Sequence, residues 1–84
     1  MSLPLRQSLQ EICKICEIES ELISQFVELE WIHPIDKAHL MFDEEDVARI
    51  KLIKDLKEVF EVNDEGVEII LHLVDQINYI HLRG

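Results

Sequence analysis

The chain has 84 residues, with 18 acidic and 8 basic side chains and a formal net charge of −10. This length allows one domain with a small core, and the 48% hydrophobic content is too high for a disordered chain. The negative charge disfavours general binding to polyanions, and the presence of only two glycines excludes a glycine-rich loop that cradles phosphates.

Two short amphipathic helices joined by a short turn are predicted first. In residues 8–16 the apolar side chains recur at helical spacing, and Ser8 followed by Glu11 matches a capping box at the helix start. The second helix, over residues 19–29, has an apolar inner face and a polar outer face. That outer face consists of Glu21, Ser24, Gln25 and Glu28. The short connection between the two helices is typical of a helix-turn-helix.

A small hairpin, or wing, is predicted between the second and third helices. Pro34 biases the residue before it toward extended geometry, so we expect one strand within residues 31–35 and a second over residues 39–42. Asp43 is placed to cap the third helix, with Asp46 at the third helical position. The apolar side of that helix consists of Ile50, Leu52, Ile53, Leu56, Val59 and Phe60.

The last helix, expected over residues 64–82 with Asn63 as its cap, is apolar on two sides. One side has the alternating spacing of a short coiled-coil seam, which predicts a homodimer. The seam residues are Val67, Ile70, Val74, Ile77 and His81. The alternative is that both sides are buried within one subunit.

These elements predict a mainly α fold with a small β-hairpin wing. The chain then divides into an N-terminal tail (1–7), a winged helix-turn-helix (8–62) and a C-terminal helix for core packing and dimerisation (63–84). The order of helix-turn-helix, wing, long helix and final helix describes a winged helix-turn-helix domain.

Several stretches resemble MerR-type proteins. Residues 42–53 (FDEEDVARIKLI) are similar to the segment that follows the wing in that family, and residues 28–34 (ELEWIHP) to the passage from the second helix into the wing. The likeness is closer to the chaperone-modulator (CbpM) branch, which residues 62–67 (VNDEGV) also resemble. The resemblance covers residues 8–82 and implies a MerR-like winged helix-turn-helix fold.

The resemblance to the CbpM branch implies a non-enzymatic regulator. Members of this branch bind the J-domain of a DnaJ-type co-chaperone (CbpA) and hold back its stimulation of the Hsp70 chaperone. DNA-binding MerR proteins carry Arg-Tyr-Tyr where this chain has QFV at residues 25–27, and an arginine in the wing where it has HLM at residues 39–41. The alternative function is a MerR-type transcriptional regulator that binds DNA through the helix-turn-helix.

The charge of the second helix favours a protein partner. Residues 17–30 contain five glutamates and no lysine or arginine, so this helix supplies no phosphate contacts but suits a basic protein surface. The predicted partner-binding residues are Glu21, Gln25, Glu28, Trp31, His33 and Asp36. Trp31 is the expected hot spot, because aromatic anchors dominate interface energies. The alternative is a solvated acidic face and a Trp31 that packs the wing onto the core.

The cations of the third helix invite a nucleic-acid interpretation. Pairs of opposite charge four positions apart favour a self-compensated exposed helix instead. The expected pairs are Glu45–Arg49, Lys51–Asp55 and Lys54–Glu58, and Lys57 is the fourth cation.

Cys13 and Cys16 form a lone CxxC motif on the apolar stripe of the first helix. A zinc site completed by His33 and His39 is an alternative to core packing, but small buried thiols are common and core packing is favoured. No set of residues has the spacing of a catalytic constellation. We therefore expect a non-enzymatic protein without a cofactor or metal.

The start of the chain does not show the pattern of a signal peptide, and no apolar run approaches the ~20 residues needed to span a bilayer. We therefore expect a cytoplasmic protein, in which the thiols stay reduced.

Overall fold

The part of the chain that the structure describes, residues 6–83 with side chains up to residue 79, contains four helices and a two-stranded antiparallel sheet in this computed structural model. In chain order the elements are β1 (Gln7–Ser8), α1 (Leu9–Cys16), α2 (Ser20–Glu28), β2 (Met41–Phe42), α3 (Glu44–Glu58) and α4 (Asp64–Arg83). The predicted mainly α fold with a small β component is confirmed.

Side chains close the first turn of three helices through local hydrogen bonds. The Ser8 hydroxyl accepts from the backbone N–H of Glu11 (3.3 Å), whose carboxylate accepts from the N–H of Ser8 (3.0 Å). Asp43 and Asp46 form the same reciprocal pair at 2.9 and 3.1 Å. Asn63 accepts a 2.8 Å hydrogen bond from the third residue of α4. All three caps are as predicted, because each depends on residues only three positions apart.

The wing differs in detail from the predicted hairpin. The partner of β2 is β1, with Gln7 opposite Phe42 and Ser8 opposite Met41, and the wing itself closes through a single bridge between Asp36 and Met41. Gln7, which the sequence placed in the tail, is therefore part of the sheet.

Residues 31–35 do not form the expected strand. Trp31 and Ile32 are 3% and 1% exposed, so two consecutive side chains are buried, whereas a strand would place them on opposite faces. Pro34 also lacks the N–H that a strand ladder requires. The segment is instead irregular: Trp31 and Ile32 are buried, whereas His33 and Ile35 are exposed.

The core lies where α1, α2 and α3 meet the irregular segment before the wing. The side chains that are less than 2% exposed are Phe42, Ile12, Ile23, Ile32, Ile50, Ile53 and Val67. α4 joins this core through Val67 and Leu71, and Leu71 lies on neither of the two predicted apolar sides. Between residues 72 and 79 every side chain except Val74 is exposed, so this part of α4 lies outside the core.

Candidate protein-binding surface

The outer face of α2 is the largest part of the predicted binding surface that the structure leaves open. Ile23 and Phe26 point into the core at 0% and 3% exposure, and this fixes which face of the helix turns outward. Glu21, Gln25 and Glu28 are all exposed on that outward face. None of the three forms an ion pair or side-chain hydrogen bond with another described residue, so the face is negatively charged and uncompensated.

Trp31 lies in the core rather than on the surface. Its ring stacks on Phe26 with centroids 5.6 Å apart and an angle of 26° between the planes. The ammonium of Lys57 lies 5.7 Å from the centre of the same ring, and the indole N–H has no hydrogen-bond partner among the described residues. This placement favours the alternative in which Trp31 packs the wing segment onto the core, and it removes Trp31 from the exposed contact surface.

His33 and Asp36 have different roles at the base of the wing. His33 is exposed, whereas Asp36 is half-buried and holds the wing turn. Its carboxylate accepts from the backbone N–H of His39 (3.1 Å) and lies 3.0 Å from the His39 ring nitrogen Nδ1. The side-chain hydrogen bond to His39 is the main reason that the pKa of Asp36 is lowered. Of the wing residues predicted to bind, His33 is therefore the one free to contact a partner.

Arg49 does not form the expected pair with Glu45 but joins three parts of the fold. Its guanidinium donates to Asp75 of α4 at 2.7 and 3.1 Å, and its Nε donates to the backbone carbonyl of Trp31. The hydrogen bond from Arg49 lowers the pKa of Asp75. The Arg49 guanidinium therefore stabilises the fold, and these hydrogen bonds occupy the donors that a phosphate would need.

Two lysines of α3 are also used within the fold. Lys54 donates to the backbone carbonyl of Cys16 at 2.7 Å, which places a cation at the C-terminal end of α1, and it lies 3.9 Å from Glu58 as predicted. Lys57 donates to Asp64. The expected ion pair between Lys51 and Asp55 does not form. Arg49, Lys54 and Lys57 of α3 thus connect helices to one another, whereas Lys51 does not.

The two cysteines occupy the core side of α1. Cys16 is 4% exposed and Cys13 is half-buried; both are free thiols, and burial raises the pKa of Cys16. Within residues 6–79 no group of three or more histidine, cysteine, aspartate or glutamate side chains is arranged to hold a metal ion. The placement of Cys16 favours core packing over the zinc alternative.

The predicted dimer seam falls on residues in different environments. Val67 is enclosed in its own subunit, Ile70 and Val74 are half-buried, and Ile77 is exposed. The side chain of His81 lies outside the described residues. A different set on α4 forms an exposed apolar row: Ile69, Leu73 and Ile77 are 61%, 50% and 64% exposed and follow one another at intervals of four.

A groove that the sequence did not predict opens beside α2. It has a volume of about 340 Å³ and lies between the α1–α2 turn, Leu22 and Phe26 of α2, and the C-terminal end of α3. Its walls come from residues far apart in the chain, and the apolar spacing of each helix taken alone predicts only which side faces the core.

A comparison with known protein families gives a match that spans nearly the whole chain. The profile of the family described as "MerR HTH family regulatory protein" matches residues 7–83. No curated protein matches the sequence. Among the described helices, none combines the length and the apolar character required to cross a membrane.

Proposed function

Since the chain belongs to the MerR-type helix-turn-helix family of regulatory proteins, we propose that it regulates by binding a protein rather than by binding DNA. The partner is the J-domain of a DnaJ-type co-chaperone (CbpA-like), and occupation of that domain inhibits its stimulation of Hsp70. The protein acts in the cytoplasm, without a cofactor and without catalysis of its own.

The observation that carries this proposal is the charge on the outer face of α2. In a DNA-binding helix-turn-helix this helix enters the major groove, where its outward residues must meet phosphates and base edges. Here Glu21 and Glu28 are exposed and unpaired on that face, and Gln25 lies between them. Two carboxylates in this position repel the phosphate backbone, whereas they attract a basic protein surface.

The cations of α3 strengthen the same argument. A DNA-binding domain with an acidic recognition helix would need phosphate contacts from elsewhere, and α3 carries four of the eight basic residues. Arg49, Lys54 and Lys57 are already bonded within the fold. Of the four cations of α3, Lys51 alone is exposed and has no partner among the described residues, so this helix offers one side chain for phosphate contacts.

The J-domain is chosen as partner because of the resemblance to the CbpM branch. The segments that carry it, residues 28–34, 42–53 and 62–67, form the wing junction, the start of α3 and the start of α4. J-domains commonly present a positive helix to Hsp70, so an acidic competitor is electrostatically matched.

The test is titration calorimetry against the isolated J-domains of the host's DnaJ-type co-chaperones, at low and high salt and at several temperatures. We expect micromolar or tighter binding that weakens with salt, together with loss of Hsp70 ATPase stimulation. Glu21→Lys with Glu28→Lys should weaken the binding, and Glu65→Lys with Glu68→Lys on α4 is the charge-matched control. Absence of heat with every J-domain, or equal effects of the two double variants, contradicts the proposal.

A further inference from the structure

The groove beside α2 shares an edge with the acidic face. Leu22 is 39% exposed and lines the groove, and on the surface of the helix it lies between Gln25 of the acidic face and Phe26 of the groove. A partner bound along the acidic face of α2 can therefore contact the groove at the same time.

The floor of the groove is apolar. Ile18 and Phe26, at 9% and 3% exposure, form it together with Leu22. Behind Phe26 lies the stacked ring of Trp31, so the floor is backed by a rigid aromatic pair. A floor of this kind suits an apolar side chain of a partner, because the packed residues of the floor cannot move in to fill the groove themselves.

The charged residues at the rim of the groove determine which charge a bound partner must carry. The lining includes two lysines, but each is paired with a carboxylate: Lys54 lies 3.9 Å from Glu58, and Lys57 donates to Asp64. Glu17 and Glu19 line the same groove and have no ion pair or side-chain hydrogen bond with any described residue. The rim thus presents unpaired negative charge around an apolar floor.

We propose that this groove takes an apolar side chain from a basic amphipathic helix of the partner, whose cations face Glu17, Glu19 and the outer face of α2. The inference rests on the proposed function and identifies a second part of the same contact surface. The acidic face gives long-range attraction, while the groove distinguishes one basic helix from another by the shape of the side chain it accepts.

Glu17 provides a sharp test because its backbone is left-handed, with φ of 53°. Glycine adopts this conformation without strain, so Glu17→Gly removes the carboxylate and should raise the urea midpoint of unfolding. Glu61 has the same φ of 53° but lies between α3 and α4, away from the groove lining. Glu61→Gly is therefore a matched control for the backbone effect and for the change in charge.

The experiment measures J-domain affinity by calorimetry for the wild type, Glu17→Gly, Leu22→Ala and Glu61→Gly. We expect the first two substitutions to weaken binding about fivefold or more and the third to leave it unchanged. Because Glu17→Gly is expected to be more stable than the wild type, weaker binding by this variant cannot result from unfolding.

The outcomes separate the two proposals. If the wild type binds and the α2 charge reversals weaken binding, but Glu17→Gly and Leu22→Ala bind like the wild type, the groove is not used and the proposed function stands. If the wild type binds no J-domain, both proposals fail.

The chain has one tryptophan, and its position against Phe26 adds a second readout. Occupation of the groove by a J-domain variant without tryptophan should change the Trp31 fluorescence.

Discussion

Arg49 and Asp75, 26 residues apart in the chain, join α3 to α4 through two parallel hydrogen bonds of 2.7 and 3.1 Å. The same guanidinium donates to the backbone carbonyl of Trp31, so one side chain fixes α4 and the segment before the wing to α3. The Arg49 side chain is 19% exposed and that of Asp75 is 56% exposed. The arginine therefore joins a part-buried acceptor, the Trp31 carbonyl, to an exposed one, the Asp75 carboxylate.

This arrangement predicts unequal effects at the two ends of the pair. Arg49→Met leaves the half-enclosed Trp31 carbonyl without its donor and should lower the free energy of unfolding by about 1–3 kcal/mol. Asp75→Asn removes only an exposed ion pair, worth about 0–1 kcal/mol. Urea unfolding followed by Trp31 fluorescence measures both, and equal losses would show that the carbonyl contact has no role.

Asp46 should give the protein a pH dependence of opposite sign to that of Asp75. Burial is the main cause that raises the pKa of Asp46 above 3.8, and the hydrogen bond from the Asp43 N–H opposes it. The folded protein then holds this proton more tightly than the unfolded chain does. The contribution of Asp46 to stability is complete below pH 3.8 and is lost as the pH rises through the folded-state pKa.

The measurement is the free energy of unfolding of Asp46→Asn and the wild type between pH 3 and pH 7. The amide still accepts the Asp43 N–H but does not titrate, so the difference between the two proteins should shift in favour of the variant as the pH rises. Asp75→Asn is the contrasting control. The pKa of Asp75 is lowered in the folded protein. The wild type is therefore more stable than Asp75→Asn above pH 3.8, and this difference is lost as the pH falls through the folded-state pKa. A pH-independent difference for Asp46→Asn would contradict the assignment.

Glycine at left-handed positions should stabilise the fold. Glu30 and Glu61 have φ of 62° and 53°, a conformation that costs a residue with a Cβ about 1–2 kcal/mol. Part of this gain is offset because glycine has more freedom in the unfolded chain. Glu30→Gly and Glu61→Gly should each raise the free energy of unfolding by up to about 1 kcal/mol. Glu65→Gly, within helix α4, is the control and should lower it.

The exposed apolar row on α4 predicts self-association. We expect a homodimer whose contact includes Ile69, Leu73 and Ile77, because half or more of the surface of each of these residues is exposed. Leu73→Glu should convert the dimer to a monomer in sedimentation equilibrium. Ile15→Glu, at a position 45% exposed on α1, is the control and should leave the mass unchanged. A monomer mass for the wild type at every concentration would remove the dimer.

The sequence predicted features that depend on neighbours along the chain. The capping pairs of Ser8 and Asp43 involve residues three positions apart, and side-chain chemistry alone specifies them. The helical spacing of apolar residues likewise predicted that Ile23 and Phe26 of α2 face the core, but it also placed Leu22 on the inner face, and the structure leaves Leu22 39% exposed.

Tertiary contacts could not be predicted from the local spacing of residues in the sequence. The spacing rule favoured Glu45 as the partner of Arg49, but the approach of α4 brings Asp75 to the same guanidinium. An aromatic residue beside a turn is as compatible with an exposed anchor as with a core position. The irregular path of the chain after α2, where the Trp31 N–H donates to the Phe26 carbonyl, is what brings the Trp31 ring onto Phe26. The groove depends on how α3 is placed against the α1–α2 turn, for which no single segment carries a signal.

Ser8 belongs at once to the sheet and to the first turn of α1, because it lies opposite Met41 and its hydroxyl accepts the N–H of Glu11. Peeling β2 away from β1 therefore loosens the residue that holds the start of α1 in place. Local opening of the wing and fraying of that helix end are thus one cooperative event, and the amide hydrogens of both regions should exchange with solvent together. A disturbance of the wing is thereby transmitted to the first turn of α1.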